Sequence, residues 1–461
     1  MKINRREFTA GVGIGTAAVA AGLSGCAFSP KYYAGPIRPE GAIRKGKIVS
    51  GRPVNLAFVG SAGKGGSNID LLQKAAKPGE IRIVGLCDAD FGYAERVFKQ
   101  HPDVPKYWDY RKMYAELDDQ IDAVVVSTPD HMHFPAALAA IQAGKHVYVE
   151  KPLTHTIRES RILREAVKIH EVKSQMGNQG NSSEGARLLR EWVEAGIIGD
   201  VYHVDIWTNR PAAGRWVQNC TVPTEKMEVP NTLNWNLWQG IARERAYNKC
   251  YVPRLWRGWW EYGCGAIGDM GCHTMNASFF ALDLATPYRV ELLDADGGNA
   301  ESPPNGTVVK YHFGRRGDLA PCTMCWYEGS RSPKRPKELE PNREFATSGQ
   351  VLYGTKGVLY LPGDNGHTVR LIPEKAMEGF KAPRKVYPRI KGGHHRNFLD
   401  AVLGLTDQAC SNFDYAAQLS ELGALGNLAI RSGKSFDWNS ELMLASAPEA
   451  QKFIDKQYRR F

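Results

Sequence analysis

Short apolar runs alternate with amphipathic stretches through the first part of the chain. The runs 54–59 (VNLAFV), 81–88, 121–128 (IDAVVVST) and 146–150 are rich in β-branched residues and lack a polar face. Runs of that kind predict strands buried on both sides of a parallel sheet. Between them, a helical pattern beginning near Asn68 and the segments 93–101, 110–116 and 134–143 read as amphipathic helices. A strand-then-helix alternation predicts an α/β, doubly wound sheet over residues 52–175. After a helix at 156–170 and a short strand at 173–176 the style changes. A helix at 184–195 is followed by β-like runs at 201–207, 307–313, 322–327, 350–353 and 358–361, with more aromatics and prolines among them. Helical patterns opening near 392 and spanning 415–430 lie near the end, so 176–461 reads as a second domain.

In a doubly wound sheet, ligands gather at the carboxyl ends of the strands. The residues just after each run are therefore candidate chemistry. Gly60-Ser61-Ala62-Gly63-Lys64-Gly65-Gly66 comes after the first run and precedes a helix. Backbone amides at such a turn, with the helix dipole behind them, suit a pyrophosphate. The G-x-G-x-x-G template falls on Gly60, Ala62 and Gly65, with Gly63 supplying the close approach that Ala62 lacks. This is the dinucleotide-binding fingerprint of a Rossmann unit. The second run ends in Asp88, the position that bonds a ribose 2′-hydroxyl and repels a 2′-phosphate, which favours NAD over NADP. Thr128-Pro129-Asp130-His131-Met132-His133 closes the third run and reads as a loop edging the cofactor, without a metal-ligand pattern. The fourth run ends in Glu150-Lys151-Pro152. Taken alone, that acid and amine read equally well as an ion pair at a strand end.

Composition narrows the class. The apolar fraction of 43% and charged fraction of 23% are those of an ordinary globular protein. The formal charge of +10 is scattered, and nothing resembles a nucleic-acid-binding arm. Cys322 and Cys325 lack a second pair at zinc spacing and read as strand residues, so no metal is expected. Cys220 and Cys250 could pair outside the cytosol, a point the sequence leaves open. At the N-terminus, Asn4-Arg5-Arg6-Glu7-Phe8 precedes a mild apolar run at 10–23, too short to span a bilayer. The pattern resembles a twin-arginine export signal, and Leu23-Ser24-Gly25-Cys26 resembles a bacterial lipobox. Together they predict a signal over 1–26 and a tether or arm over 27–51. The mature protein is then exported in a bacterium, periplasmic or held at a membrane only through a lipid on Cys26.

The second domain offers one dense segment, 256–276 (WRGWWEYGCGAIGDMGCHTMN). Asp269 and His273 stand four apart, so on a helix they share a face. Gly263, Gly265 and Gly268 permit close approach to another surface. A carboxylate beside an imidazole can fix its tautomer and raise its basicity for general-base work. The same spacing also describes a simple helix-surface hydrogen bond. Trp207, Trp256, Trp259, Trp260 and Trp326 are either platforms for a sugar ring or core.

The glycine turn Gly60–Gly65, Asp88, Thr128-Pro129 with His133, and Glu150-Lys151-Pro152, at these separations, resemble the Gfo/Idh/MocA family of nicotinamide-dependent sugar oxidoreductases. The likeness runs over roughly residues 52–440. It implies a C-terminal α+β domain with an open, mostly antiparallel sheet, through which family members often pair as homo-oligomers. It implies NAD bound by the glycine turn, Asp88, Thr128, His133, Glu150 and Asn178. Lys151 would lie beside the nicotinamide and the carbon being oxidised, and His273 would be the acid/base, with Asp269 orienting it or binding a neighbouring hydroxyl. The partner is then a small-molecule sugar or glycoside. Three activities fit: an NAD-dependent sugar dehydrogenase, a glycosidase using bound NAD within each turnover, or a non-catalytic sugar or NAD sensor.

Overall fold

The structure, a computed structural model, describes residues 43–211 and 215–461. The predicted signal, Cys26 and most of the arm lie outside the described residues. Six parallel strands form the first sheet: β1 (Val54–Val59), β2 (Ile81–Cys87), β3 (Lys106–Tyr107), β4 (Ala123–Val126), β5 (His146–Val149) and β6 (Ser174–Met176). Their order is β3-β2-β1-β4-β5-β6. Every residue of β1, β4, β5 and β6 is buried, and among the polar ones Asn55, His146 and Gln175 bond the carbonyls of Gln120, Lys47 and His394. β1 pairs with both β2 and β4, so the chain leaves it in opposite directions. The crevice at the carboxyl ends of β1 and β4 is the switch point where such sheets take ligands.

Two helices fix that crevice. Helix α1 (Lys64–Ala75) starts directly on the glycine turn, four residues ahead of the start that periodicity suggested. The glycines explain the difference, because they carry no pattern yet are already helical. A Cβ on Gly65 would lie 1.7 Å from the Gly60 carbonyl oxygen, so α1 can seat against β1 only with glycine there. Helix α2 (Ile157–Ile169) begins with a reciprocal capping box between Thr156 and Glu159.

The second sheet has nine strands, β7 (Val201–Thr208), β8 (Arg289–Ala295), β9 (Gly306–Phe313), β10 (Cys322–Gly329), β11 (Gly349–Gly354), β12 (Val358–Pro362), β13 (Arg370–Ile372), β14 (Phe436–Asn439) and β15 (Leu444–Ala445). Their order is β13-β12-β11-β7-β10-β9-β8-β14-β15. Among the described strands only β7 and β10 run parallel, so the sheet is open and mostly antiparallel. Its inner face carries Val204, Ile206, Tyr311, Met324 and Trp326 into the same core as Leu419, Leu422 and Leu425 of the long helix at Phe413–Ser432. Helix α3 (Gly265–Thr274) lies between that helix and the cleft.

The chain order and the packing order differ at one place. Helix α4 (Gly393–Val402), far along the sequence, returns to the first domain and packs on α1. Phe398, Leu399 and Val402 share a core with Val54, Leu56 and Phe58 of β1. The described end of the arm joins them: Val49 is buried there and donates its N–H to the Val402 carbonyl. Among the described residues no helix is long and apolar enough to cross a membrane.

Two glycine substitutions test this packing. Gly65→Ala meets backbone and is expected to destabilise by about 3 kcal/mol. Gly271→Ala in α3 meets nothing closer than 3.6 Å, and should stabilise by about 0.5–1 kcal/mol. Urea unfolding of the two variants should move in opposite directions.

Candidate active site

A cleft of about 550 Å³ opens at the switch point and runs into the second domain. Gly60 and Gly63 both have positive φ, +80° and +52°, which glycine alone adopts freely. A Cβ on Gly60 would sit 2.7 Å from the Ser127 backbone, so the ends of β1 and β4 can meet only there. Of the first amides of α1, Gly65 donates to the Ala62 carbonyl (2.8 Å) and Ser67 to that of Gly63 (3.2 Å), which leaves those of Lys64 and Gly66 at the positive end of the helix dipole. Asp88 accepts from the N–H groups of Ser61 (2.8 Å), Ala62 (3.0 Å) and Asp90 (2.9 Å). Burial nevertheless raises it to about 6, so it is ionised at neutral pH. The Thr128 hydroxyl is buried without a hydrogen-bond partner. Oriented amides, a carboxylate near the ribose position and an orphaned hydroxyl fit a dinucleotide.

Glu150 is buried at the end of β5. Burial alone would raise its pKa, but Lys64 at 3.6 Å and the Asn68 side-chain amide at 3.0 Å outweigh it and hold it low. Asn68 in turn meets His395 of α4 at 3.1 Å. Next in sequence, the Lys151 ammonium donates to Asp269 Oδ1 at 2.7 Å. Arg257 Nε donates to that same oxygen, also at 2.7 Å. One carboxylate of the second domain thus grips a cation from each domain. Burial opposes the charge on Asp269, yet Lys151 and Arg257 together hold it well below the usual carboxylate range.

That arrangement corrects one expectation. Asp269 shares a helix face with His273 but makes no hydrogen bond to it, because the two cations offer stronger, charge-assisted partners. The His273 Nδ1 is buried without a partner. Burial first, and Lys151 second, lower its pKa to about 4, so the ring is neutral at pH 7.

Of the residues singled out from sequence, Gly60, Ala62, Gly63, Asp88, Thr128, His133, Glu150, Lys151, Asp269 and His273 line the cleft. Gly65 serves packing instead. Asn178 is fully buried outside the cleft lining, where it donates to Asn276 (3.0 Å) and accepts from Ser411 (2.5 Å). It corrects to a core residue. His133 has its ring nitrogens against the carbonyls of Pro152 (2.8 Å) and Thr128 (3.0 Å), so it braces the two loops. Among the tryptophans considered, only Trp256 lines the cleft, while Trp207, Trp259, Trp260 and Trp326 are core. Trp108, Trp216 and Trp238 also line it. Cys220 and Cys250 are free thiols. Cys325 lies with His203 and Asp205, their ligand atoms within 4.8 Å of one another, on strands of the second sheet.

Residues 54–178 match the family described as "Oxidoreductase family, NAD-binding Rossmann fold". Residues 184–313 match its "C-terminal alpha/beta domain". Among curated proteins, the chain is 27% identical over 169 residues to levoglucosan dehydrogenase of Pseudarthrobacter phenanthrenivorans, covering 36% of this chain and 34% of that protein. It is 26% identical over 209 residues to glycosyl hydrolase family 109 protein 1 of Shewanella sp. strain ANA-3, covering 44% and 45%. The chain therefore spans less than half the length of these relatives. The WlbA dehydrogenase of Bordetella pertussis, solved with NADH and UDP-GlcNAcA, shares the fold at TM-score 0.59 and 16% identity, over 84% of this chain and 99% of that one.

Removing Asp269 leaves Lys151 and Arg257 buried together without their anion. Asp269→Ala is expected to cost about 3–5 kcal/mol in urea unfolding at pH 7. A loss under about 1 kcal/mol would mean the cluster is solvated. Acid should weaken the fold as well. His131 and His394 are lowered to about 3, and His273 and His395 to about 4, chiefly by burial. The unfolded chain binds protons at these positions below about pH 6.5 while the native one does not, so stability falls as pH drops from there towards 4. Asp88, raised to about 6, and Glu328, raised to about 7, work in the opposite sense. Unfolding midpoints at pH 7.5, 5.5 and 4.5 should decline in that order.

Proposed function

Because the chain belongs to the Gfo/Idh/MocA oxidoreductase family, we propose that it oxidises a secondary alcohol of a sugar or sugar derivative with NAD. The observation that carries this reading is that Lys151, bonded to Asp269, and His273 line the same cleft as the glycine turn and Asp88. The glycine turn and the first amides of α1 would hold the pyrophosphate, and Asp88 the ribose. When bound, NAD supplies the acceptor for the hydride that leaves the carbinol carbon. The chain's own side chains handle the proton and the charge. His273, neutral at pH 7, takes the proton from the sugar hydroxyl. The Lys151 ammonium stabilises the oxyanion as that proton leaves. Asp269 aims the ammonium, and since both of its cations bond Oδ1, Oδ2 is left to accept a neighbouring hydroxyl. Arg257 keeps the carboxylate ionised so that Lys151 does not lose its partner.

A second reading is net cleavage of a glycoside, with NAD restored within each turnover. The similarity to the glycosyl hydrolase family 109 proteins favours it. We also propose export with a lipid on Cys26, supported by the twin-arginine and lipobox patterns in the sequence.

The purified protein, tested for retained nicotinamide and given chromogenic glycosides without added cofactor, separates the readings. Aglycone release marks the glycosidase, and a ketosugar with stoichiometric NADH marks the dehydrogenase. Retained NAD with neither product marks a sensor. His273→Ala should lower turnover roughly 10²–10⁴-fold while NAD binding persists. With NAD saturating, so that protonation of Asp88 near 6 does not enter, kcat/KM for the sugar should hold down to about pH 5 and fall only as His273 protonates near 4. An acid limb near 6.5 would assign the base elsewhere.

A further inference from the structure

The substrate half of the cleft is walled by Arg210, Arg215, Trp216, Arg254, Trp256 and Arg257. Pairing divides its cations into two groups. Lys151 and Arg257 share Asp269, and the Arg257 guanidinium lies 4.1 Å over the Trp256 ring. The buried Asp130 carboxylate also feels both cations, and accepts from the Cys264 N–H at 3.0 Å. Arg210 faces Asp364 at 3.8 Å and donates to Asn209. Arg215 and Arg254 are exposed and have no carboxylate within ion-pair distance among the described residues.

Unpaired guanidiniums on an open surface are ordinary solvated charge. These two line the same concave space as Lys151 and His273, beside two tryptophan rings. The cleft carries both signs of charge, with Asp130, Asp269 and Asp364 among its walls. Those carboxylates are engaged by Lys151, Arg257 and Arg210 or by backbone, which leaves Arg215 and Arg254 as its unmatched charges among the described residues. A guanidinium presents its N–H groups as a planar fork that matches an oxyanion. Resting on the oxidoreductase reading, we propose that the sugar taken by this site carries an anionic substituent. Arg215 and Arg254 would bind that group, with Trp216 and Trp256 against the ring and Lys151 at the reacting hydroxyl.

The test measures binding, so that it does not depend on turnover. The full chain loaded with NAD would be titrated calorimetrically with methyl glucoside, methyl glucuronide, glucose 6-phosphate and glucose 6-sulfate. At least one anionic sugar should bind roughly tenfold or more tightly than the neutral one, and the three arms identify carboxylate, phosphate or sulfate. Arg215→Ala/Arg254→Ala should abolish that preference while affinity for the neutral sugar stays within about twofold. Raising salt from about 0.05 to about 0.5 M should shrink the preference in the native protein and not in the variant. Equal affinities, a preference that survives the double substitution, or no sugar binding by the NAD-loaded protein would each overturn the proposal. His273→Ala tests the oxidoreductase reading without reference to substrate charge, so the two can fail separately.

Discussion

One carboxylate oxygen organises the site. Asp269 Oδ1 receives Lys151 from the end of β5 and Arg257 from the approach to α3. A buried ion pair contributes little net stability, since desolvation offsets its attraction, but an unmatched member is expensive. The triad therefore acts as a registration device. The two domains can close with Lys151 correctly aimed, or leave charge stranded. The brace of His133 between the carbonyls of Thr128 and Pro152 holds the loop that carries Lys151 on the first-domain side. Each half of the cleft then inherits its character from a different source. The first-domain half is built on glycine conformations and helix amides with Asp88 and Glu150 beside them, and the second-domain half on charged side chains.

Local pattern was enough for most of the framework. The four long parallel strands and the amphipathic helices between them follow from unbroken apolar runs and their spacing, and Asp88, Glu150 and Lys151 follow from being next in line after a strand. Where local pattern was not enough, the determinant was non-local. β8 and β14 were invisible because RVELLDA and FDWN interleave charge with apolar residues; β8 buries only Val290, and β14 pairs with β8 from far along the chain. Asp269 and His273 are neighbours on a helix, which suggested a pair. Arg257, at no helical spacing from Asp269, won the carboxylate through the fold of the Trp-rich segment. Asn178 sits at the end of β6, a ligand-side position, yet Asn276 and Ser411 draw it into the core. No feature of residues 174–180 announces that.

Histidine shows the same division. Position near a strand end or helix start could not distinguish His131, His133, His273, His394 and His395. Their surroundings do. His131 and His394 are enclosed by carbonyls or hydroxyls and held neutral by burial, His133 clamps two loops, and His395 supports Asn68 behind Glu150. Only His273 combines a place in the cleft lining with an orphaned ring nitrogen.

The return of α4 to the first domain bears on how the protein is made. β1 precedes α4 along the chain, and one side of its core waits for Phe398, Leu399 and Val402. The Asn68 that steadies Glu150 waits for His395. Until some 350 further residues have been synthesised, the nucleotide fold has an uncovered apolar face and an unsupported carboxylate. The nucleotide fold is therefore completed by a segment from the far side of the second domain, so its two halves cannot be cut apart at the domain boundary without opening that core.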